Sequence, residues 1–348
     1  MESATPAGPP VTAHVAGRRR PTIRDVAAAA GVSRGTVSRV MNGGHWVSPA
    51  AREAVEHAIR DTGYQANQHA RSLATGRANS LAFLLTEPQH QLFTDPTFSI
   101  LLRGAAQALS QRQLTPVLLV AGSEAERRNV TQFVTAGHVD GVLLISSHES
   151  EPMVDMLLEA RIPTVACGIP LGHSDDLTVV SVDEVGSART MTRHLKERGR
   201  RRIAMITGPS DTGGGRYRFV GYREELGDAF DPLLVEEGDY STESGAAAMA
   251  VLLERAPDID AVFAASDRMA SGAMATLRRA GRTVPGDVAV GGFDDSGLAE
   301  SLEPPLTTMR QPFDEISRVM VDLVLDLVEG REAVSRMLAT RLIVREST

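Results

Sequence analysis

The chain has 348 residues, enough for two or three domains with real cores. It contains no run of about 18 apolar residues, and its first seventeen, rich in Ala, Pro and Thr, lack the apolar core of a signal peptide; both features argue against membrane insertion and export and for the cytoplasm. The formal charge of −8 is uneven: residues 1–79 carry ten Arg and no Lys against five acids, a surplus of +5, and the remainder carries −13. A small basic head on an acidic body suits a protein that meets nucleic acid with one end and avoids indiscriminate adhesion with the other.

Residues 1–20 are predicted to be a disordered leader ending in Arg18, Arg19 and Arg20. The pattern from Thr22 to Asp25 has the form of a capping box, with Asp25 in the first turn of a helix that runs to Ala30. Gly31 stands where a left-handed C-cap is wanted, and Ser33 can cap a second helix from Arg34 to about Asn42. Val26, Val32, Val37 and Val40 are spaced to form a mini-core, which leaves Arg34, Gly35, Ser38 and Arg39 on the outer face of the second helix. Two short helices across a tight turn predict helix-turn-helix geometry. A third helix is predicted from Ser48 as N-cap and Pro49 at its first position to Gly63.

The run from Thr22 to Leu85, TIRDVAAAAGVSRGTVSRVMNGGHWVSPAAREAVEHAIRDTGYQANQHARSLATGRANSLAFLL, resembles the LacI/GalR family of bacterial repressors. The resemblance extends over nearly everything after residue 20. It implies base reading by Arg34 and Gly35 at the start of the recognition helix, with Ser38 and Arg39 following. Arg34 can give two hydrogen bonds to a guanine edge. Gly35 departs from the side-chain-bearing residue common there, so half of the usual reading pair is missing. Thr22, Ser33, Thr36 and Asn42 are implied phosphate contacts, which position without specifying sequence. Trp46 lies beside such positions, with surface packing as its alternative role. Within a hinge and linker at residues 67–79, residues 67–74 (NQHARSLA) match the family's hinge, which becomes helical when two copies pair in the minor groove; Asn67, Ala70 and Arg71 belong to it, and Leu73 takes the place of the wedge that kinks the duplex, with a core position in an ordinary linker helix as its alternative. The family reads a pseudo-palindromic double-stranded DNA operator as a homodimer and carries a small-molecule effector, most often a sugar.

Beyond Asn79 short apolar runs alternate with helical patterns, at residues 81–85, 115–120, 141–145, 163–166, 202–207, 261–265 and 288–292, as buried parallel strands do. Helices predicted over 100–111, 188–198 and 269–280 complete βαβ units. The predicted fold is thus an all-α helix-turn-helix head (21–66) plus an α/β, periplasmic-binding-protein-like body (80–348) of two doubly wound lobes that binds effector and dimerises. By resemblance, GRYRFVGYREEL places Arg218 where effector oxygens are held, VPGDVAVGGFDDSG places Asp294 where a carboxylate accepts from sugar hydroxyls, and PPLTTMRQP is the strand crossing back to the first lobe. A rim salt bridge is the alternative for both charged residues. Asp95 and Phe98 suit a hydroxyl acceptor and a ring platform, and Asp183 and Asp267 end strand-like runs. The run Gly213 to Gly215 lacks the lysine of a phosphate loop and is expected to be a flexible cleft loop.

No metal-spaced His/Cys cluster, nucleophile elbow or catalytic pair stands out among the nine scattered histidines, so no catalytic residue, metal or cofactor is expected. Cys167, the one cysteine, sits in an apolar run and reads as a strand position. The competing readings are an exported solute-binding protein, which would have no use for a basic head, and a sugar-acting enzyme with a DNA-binding head. The sequence ends at Thr348 without an added heptad-patterned helix, so a dimer is expected over a tetramer.

Overall fold

The structure is a computed structural model that describes residues 21–41, 46–64 and 77–348. Contacts divide the chain into two compact units at residues 76 and 77.

In the first unit, α1 (Ile23–Ala30), α2 (Arg34–Met41) and α3 (Pro49–Thr62) each begin and end as their local chemistry dictates. The Asp25 carboxylate accepts from Thr22 N at 2.7 Å, Ser33 Oγ accepts from Thr36 N at 3.1 Å, and Ser48 Oγ accepts from Ala51 N at 3.3 Å. Gly31 and Gly63 end α1 and α3 at φ of 67° and 64°, a conformation glycine adopts without steric cost. Val26, Val37, Val40 and Val55 are buried with Ala27 and Ala58, and Val32 packs partly buried against them.

The second unit holds two lobes. The sheet of the first has the order β2-β1-β3-β4-β5-β11, all parallel: β1 Ser80–Leu85, β2 Thr115–Val120, β3 Gly141–Ile145, β4 Thr164–Cys167, β5 Thr178–Val182 and β11 Arg336–Leu338. The second repeats the pattern as β7-β6-β8-β9-β10-β12: β6 Ile203–Thr207, β7 Val235–Glu237, β8 Ala261–Ala264, β9 Ala289–Asp294, β10 Thr307–Arg310 and β12 Arg341–Ile343, with β12 antiparallel to β10. The inner strands are buried on both faces: along β1, Leu81, Phe83 and Leu85 enter one core while Ala82 and Leu84 enter the other.

Helices α4 (Gln89–Thr94), α5 (Pro96–Ser110), α6 (Glu124–Thr135) and α7 (Pro152–Glu159) belong to the first lobe. Helices α8 (Glu184–Glu197), α9 (Gly213–Leu226), α10 (Thr242–Arg255), α11 (Asp267–Arg279) and α12 (Leu298–Ser301) belong to the second. Close helix packing rests on glycine: a Cβ on Gly245 or Gly272 would collide with the Met269 or Thr242 carbonyl oxygen at the α10–α11 contact. The chain passes between lobes three times, after β5, after β10 into α13 (Phe313–Val328), which packs on α5 in the first lobe, and between β11 and β12. The crossing predicted for PPLTTMRQP is β10 and its exit. Among the described residues, no helix is long and apolar enough to cross a membrane.

In a doubly wound sheet a ligand site forms at the carboxyl ends of strands where the order reverses. These points lie between β1 and β3 in the first lobe and between β6 and β8 in the second, and they fix where the site lies.

Candidate functional site: a reading helix and a two-lobed cleft

On the head, Arg34 and Gly35 occupy the exposed first turn of α2, and Arg39 stands exposed one turn later. Burial of Val37 and Val40 leaves this face outward. A Cβ on Gly35 would meet only Arg39 Nη2 and Ser33 Oγ, both at 3.7 Å, so the position has room for a side chain. Thr22 Oγ is engaged with Asp25 at 2.8 Å and Ser33 Oγ with Thr36 Oγ1 at 2.9 Å, while Ser38 is half-buried. Trp46 is 91% exposed, an uncommon placement for so large an apolar ring. Asn42 and the hinge positions Asn67, Ala70, Arg71 and Leu73 lie outside the described residues.

Between the lobes lies a cavity of about 310 Å³. Loops after β1 and β3 supply Glu87, Ser146 and His148; α5 supplies Phe98 and its N-cap Asp95; the second lobe supplies Arg218, Tyr240, Ser266 and Asp294. Arg218 is 6% exposed. Its Nε donates to Glu184 Oε2 at 2.7 Å, its Nη1 to the Ala265 carbonyl at 2.6 Å, and its guanidinium lies 3.6 Å over the Phe293 ring. Glu184 Oε1 also accepts from Nη2 at 3.3 Å. Five N–H donors less these three leave one on each terminal nitrogen for a ligand oxygen. Burial disfavours the Arg218 charge, yet Glu184 opposite, with Tyr240 and Asp294 beyond, holds it more firmly protonated than usual.

Asp294 ends β9 at φ 116°, and Asp295 follows at 52°. A non-glycine residue in this region is strained by roughly 1–3 kcal/mol and persists only where its surroundings over-determine it. They do so here. Asp267 Oδ2 accepts from Asp295 N at 2.7 Å, and Arg310 and Arg345 grip the Asp295 carboxylate at 2.6 and 2.8 Å. The turn aims Asp294 into the cavity, where Gln311 Nε2 donates to its Oδ1 at 2.8 Å. Burial pushes the Asp294 carboxyl well above its usual range, against the pull of Arg218 and with a further push from Asp267 and Asp95.

Two predicted effector residues stand elsewhere. Asp267 is buried outside the cavity lining, taken up by the Asp295 amide and by Thr308 Oγ1 at 2.5 Å. Asp183 caps α8, accepting from Gly186 N at 2.8 Å, and it is Glu184 beside it that faces the cavity. Both are strand-end acids spent on structure, Asp183 as a helix cap and Asp267, one residue past the cap Ser266, as the support of the Asp295 turn. Asp95 and Phe98 line the cavity, although Asp95 also caps α5 through Thr97 N at 2.9 Å.

The glycine run is no flexible loop. It is the first turn of α9, capped by Thr212, whose Oγ1 accepts from Gly215 N at 3.1 Å. Side chains are excluded there because a Cβ on Gly215 would strike the Pro209 carbonyl oxygen and one on Gly213 that of Ile169 across the cleft. Cys167 also lines the cavity, where burial pushes its thiol up to about 12 and makes it a poor nucleophile. Sequence reasoning missed Glu184, Tyr240, Glu87 and His148, none of which belongs to a local pattern, and Gln311, which stands in the PPLTTMRQP stretch that sequence reasoning reads as structural only.

Residues 22–67 match the family described as bacterial regulatory proteins, lacI family, and residues 192–348 match the periplasmic binding protein-like domain. The HTH-type transcriptional regulator CelR of Thermobifida fusca is 47% identical over 95% of this chain and 99% of its own length. The HTH-type transcriptional repressor CytR of Escherichia coli K12 is 32% identical over 94% of this chain and 96% of its own. Among solved structures, a CelR–cellobiose complex aligns with TM-score 0.76 at 45% identity, covering 94% of this chain and all of that one. The lac repressor dimer bound to operator and the anti-inducer ONPF aligns with TM-score 0.85 at 25% identity, covering 94% and 99%. These relatives are regulators rather than enzymes, and their helical head and two-lobed body are the ones described above. The chain belongs to the LacI family of bacterial transcriptional regulators.

Proposed function

We propose that this regulator is a repressor that works in the cytoplasm on the nucleoid as a homodimer, binding a pseudo-palindromic operator and releasing it when a β-linked glucose disaccharide of the cellobiose type fills the cleft. In this reading residues 21–66 read DNA, with Arg34 as the base-reading side chain and Thr22, Ser33, Thr36, Ser38, Arg39, Asn42 and Trp46 around it. Residues 67–79 form the hinge with Leu73 as wedge, and residues 80–348 pair and bind effector.

The observation that carries the effector class is the pairing of donors and acceptors around aromatic rings. Arg218 keeps two N–H groups, Asp294 and Gln311 offer a carboxyl and an amide, and Phe98 and Tyr240 supply flat apolar surface. Sugars present hydroxyls at their edges and C–H groups on their faces, so they match such a wall. A cavity of about 310 Å³ lies at the small end of ligand sites and suits a ligand of one or two rings. The likeness to CelR, solved with cellobiose, supports the same choice. The ligand changes operator affinity only by binding one lobe arrangement better than another.

Selection of bound fragments from sheared genomic DNA, followed by gel-shift with cellobiose, glucose and ribose, tests the reading. A short pseudo-palindrome released by cellobiose alone is the expected result. No enriched sequence, or equal release by all three sugars, would defeat it. Arg34→Ala should cost the selected operator roughly 1–3 kcal/mol while leaving nonspecific binding almost unchanged.

A further inference from the structure

His148 leaves the carboxyl end of β3 and spans the mouth of the cleft. Its Nε2 lies 3.0 Å from Glu87 Oε1 in its own lobe, and its Nδ1 lies 2.9 Å from Asp211 Oδ2 in the other. An ionised carboxylate only accepts hydrogen bonds, so between two of them both ring nitrogens must donate, and only the imidazolium carries two N–H groups. The adjoining backbone is paired as well, with Glu149 N donating to the Asp211 carbonyl at 2.6 Å. Arg216 of α9 holds the Glu149 carboxylate at 2.6 Å, again across the lobes. The charged groups around the ring are therefore Glu87 after β1, Glu149 on its own loop, Asp211 after β6 and Arg216 on α9, with Asp239 after β7 on the cavity wall nearby.

We propose that Glu87, His148 and Asp211 form an interlobe proton site, so that closing the cleft takes up a proton and the effector response is linked to pH. The proton site stands on this geometry alone, and only its link to the effector response rests on the cleft being the effector site. The Glu87 hydrogen bond is the strongest influence on the ring, partial burial opposes it, and Asp211 adds to it; together they raise His148 from an ordinary value near 6.5 to about 9. Burial pushes Glu87 up, but the His148 and Ser146 hydrogen bonds outweigh it and hold Glu87 ionised below its usual range.

Opening the lobes removes the Asp211 carboxylate and leaves Glu87, which shares the first lobe, so the open ring loses one of the two acceptors that its protonated form needs. The closed state holds its proton more tightly than the open one. Its advantage is full below the open value and is lost as pH rises through about 9. Effector affinity should fall across that window, by up to about tenfold per unit of difference between the two values.

The test follows the His148 ring proton by NMR in the full chain, assigned by its loss in His148→Gln. A midpoint well above 6.5 in the ligand-free protein, lowered by Asp211→Asn, is expected. A midpoint near 6.5 both without and with cellobiose, or one that Asp211→Asn leaves in place in both, overturns the site. Calorimetry of cellobiose binding at pH 8 in two buffers of different ionisation heat should then show fractional proton uptake that Asp211→Asn removes. Binding without uptake overturns the linkage while the effector reading stands. Absence of any binding heat would refute the cellobiose reading, and the NMR titration would still decide the proton site.

Discussion

The head and the body are stabilised in opposite ways. Six small aliphatic side chains form the buried core of the head, two of them from α2, whose opposite face, carrying Arg34, Gly35 and Arg39, is exposed and takes no part in that core. The body builds its working surface inside, from Arg218, Glu184 and Asp294 buried beside the cores of two sheets. The exposed residues of α2 can therefore change with little penalty, whereas Arg218, Glu184 and Asp294 also bear on stability. A regulator built this way can alter its operator independently of its ligand, but each change of ligand puts the fold at risk.

The sharpest way to break this comparison is Glu184→Ala. It leaves the Arg218 guanidinium buried without its carboxylate and should cost roughly 3–5 kcal/mol, the usual penalty for half of a buried ion pair, read by urea unfolding of the body. A loss below about 1 kcal/mol would mean that the cleft tolerates change as the head does. Val37→Ala tests the other side: removing two methyl groups from so small a core should cost the head roughly 2 kcal/mol and weaken operator binding, with sugar binding untouched. Loss of both activities together would show that the two units do not fold independently.

Smaller effects refine the picture. Gly213→Ala places a methyl against the Ile169 carbonyl of the facing lobe and should weaken effector binding by about 1–2 kcal/mol, measured by calorimetry, with the unfolding midpoint nearly unchanged. Unaltered affinity would mean that the bound cleft is no tighter than wide contact between lobes. Gly35→Ala should be mildly stabilising, by about 0.4–1 kcal/mol, because the site has room and α2 loses a flexible residue. A destabilised head would show that the first turn of α2 is more constrained than it looks.

Much of this was legible in the residue order. Capping patterns at Thr22, Ser33 and Ser48, with Gly31 and Gly63 behind them, act within four residues and place the head helices to within a residue. The seven predicted apolar runs match β1 to β4, β6, β8 and β9; all of these but the half-exposed edge strand β2 are buried, and strands buried on both faces need continuous apolar sequence. Strands β7, β11 and β12 escaped because three-residue edge strands with exposed positions carry no such run, and β5 escaped although buried, its apolar run broken by Ser181. The cleft was only half legible. Arg218 and Asp294 sit in recognisable stretches, but the partner that Arg218 finds is Glu184, 34 positions away, and His148 meets Asp211 across 63. Pairings of that range are set by sheet order, which no local spacing encodes. Asp183 and Asp267 misled for the same reason: beside a strand end, a helix cap, a support for a strained turn and a ligand all look alike in sequence.

The three crossings between lobes have a consequence for biosynthesis. The first lobe takes α13 and β11 from residues 313–338, so its sheet and one of its covering helices are completed only after β6 to β10 of the second lobe have been made. A nascent polypeptide cannot finish the first lobe before most of the second has been made, and the early strands must wait with sticky apolar edges uncovered. The same threading means that no single cut yields an intact lobe. A library of truncations would thus return either the head alone or the whole body, with insoluble fragments between.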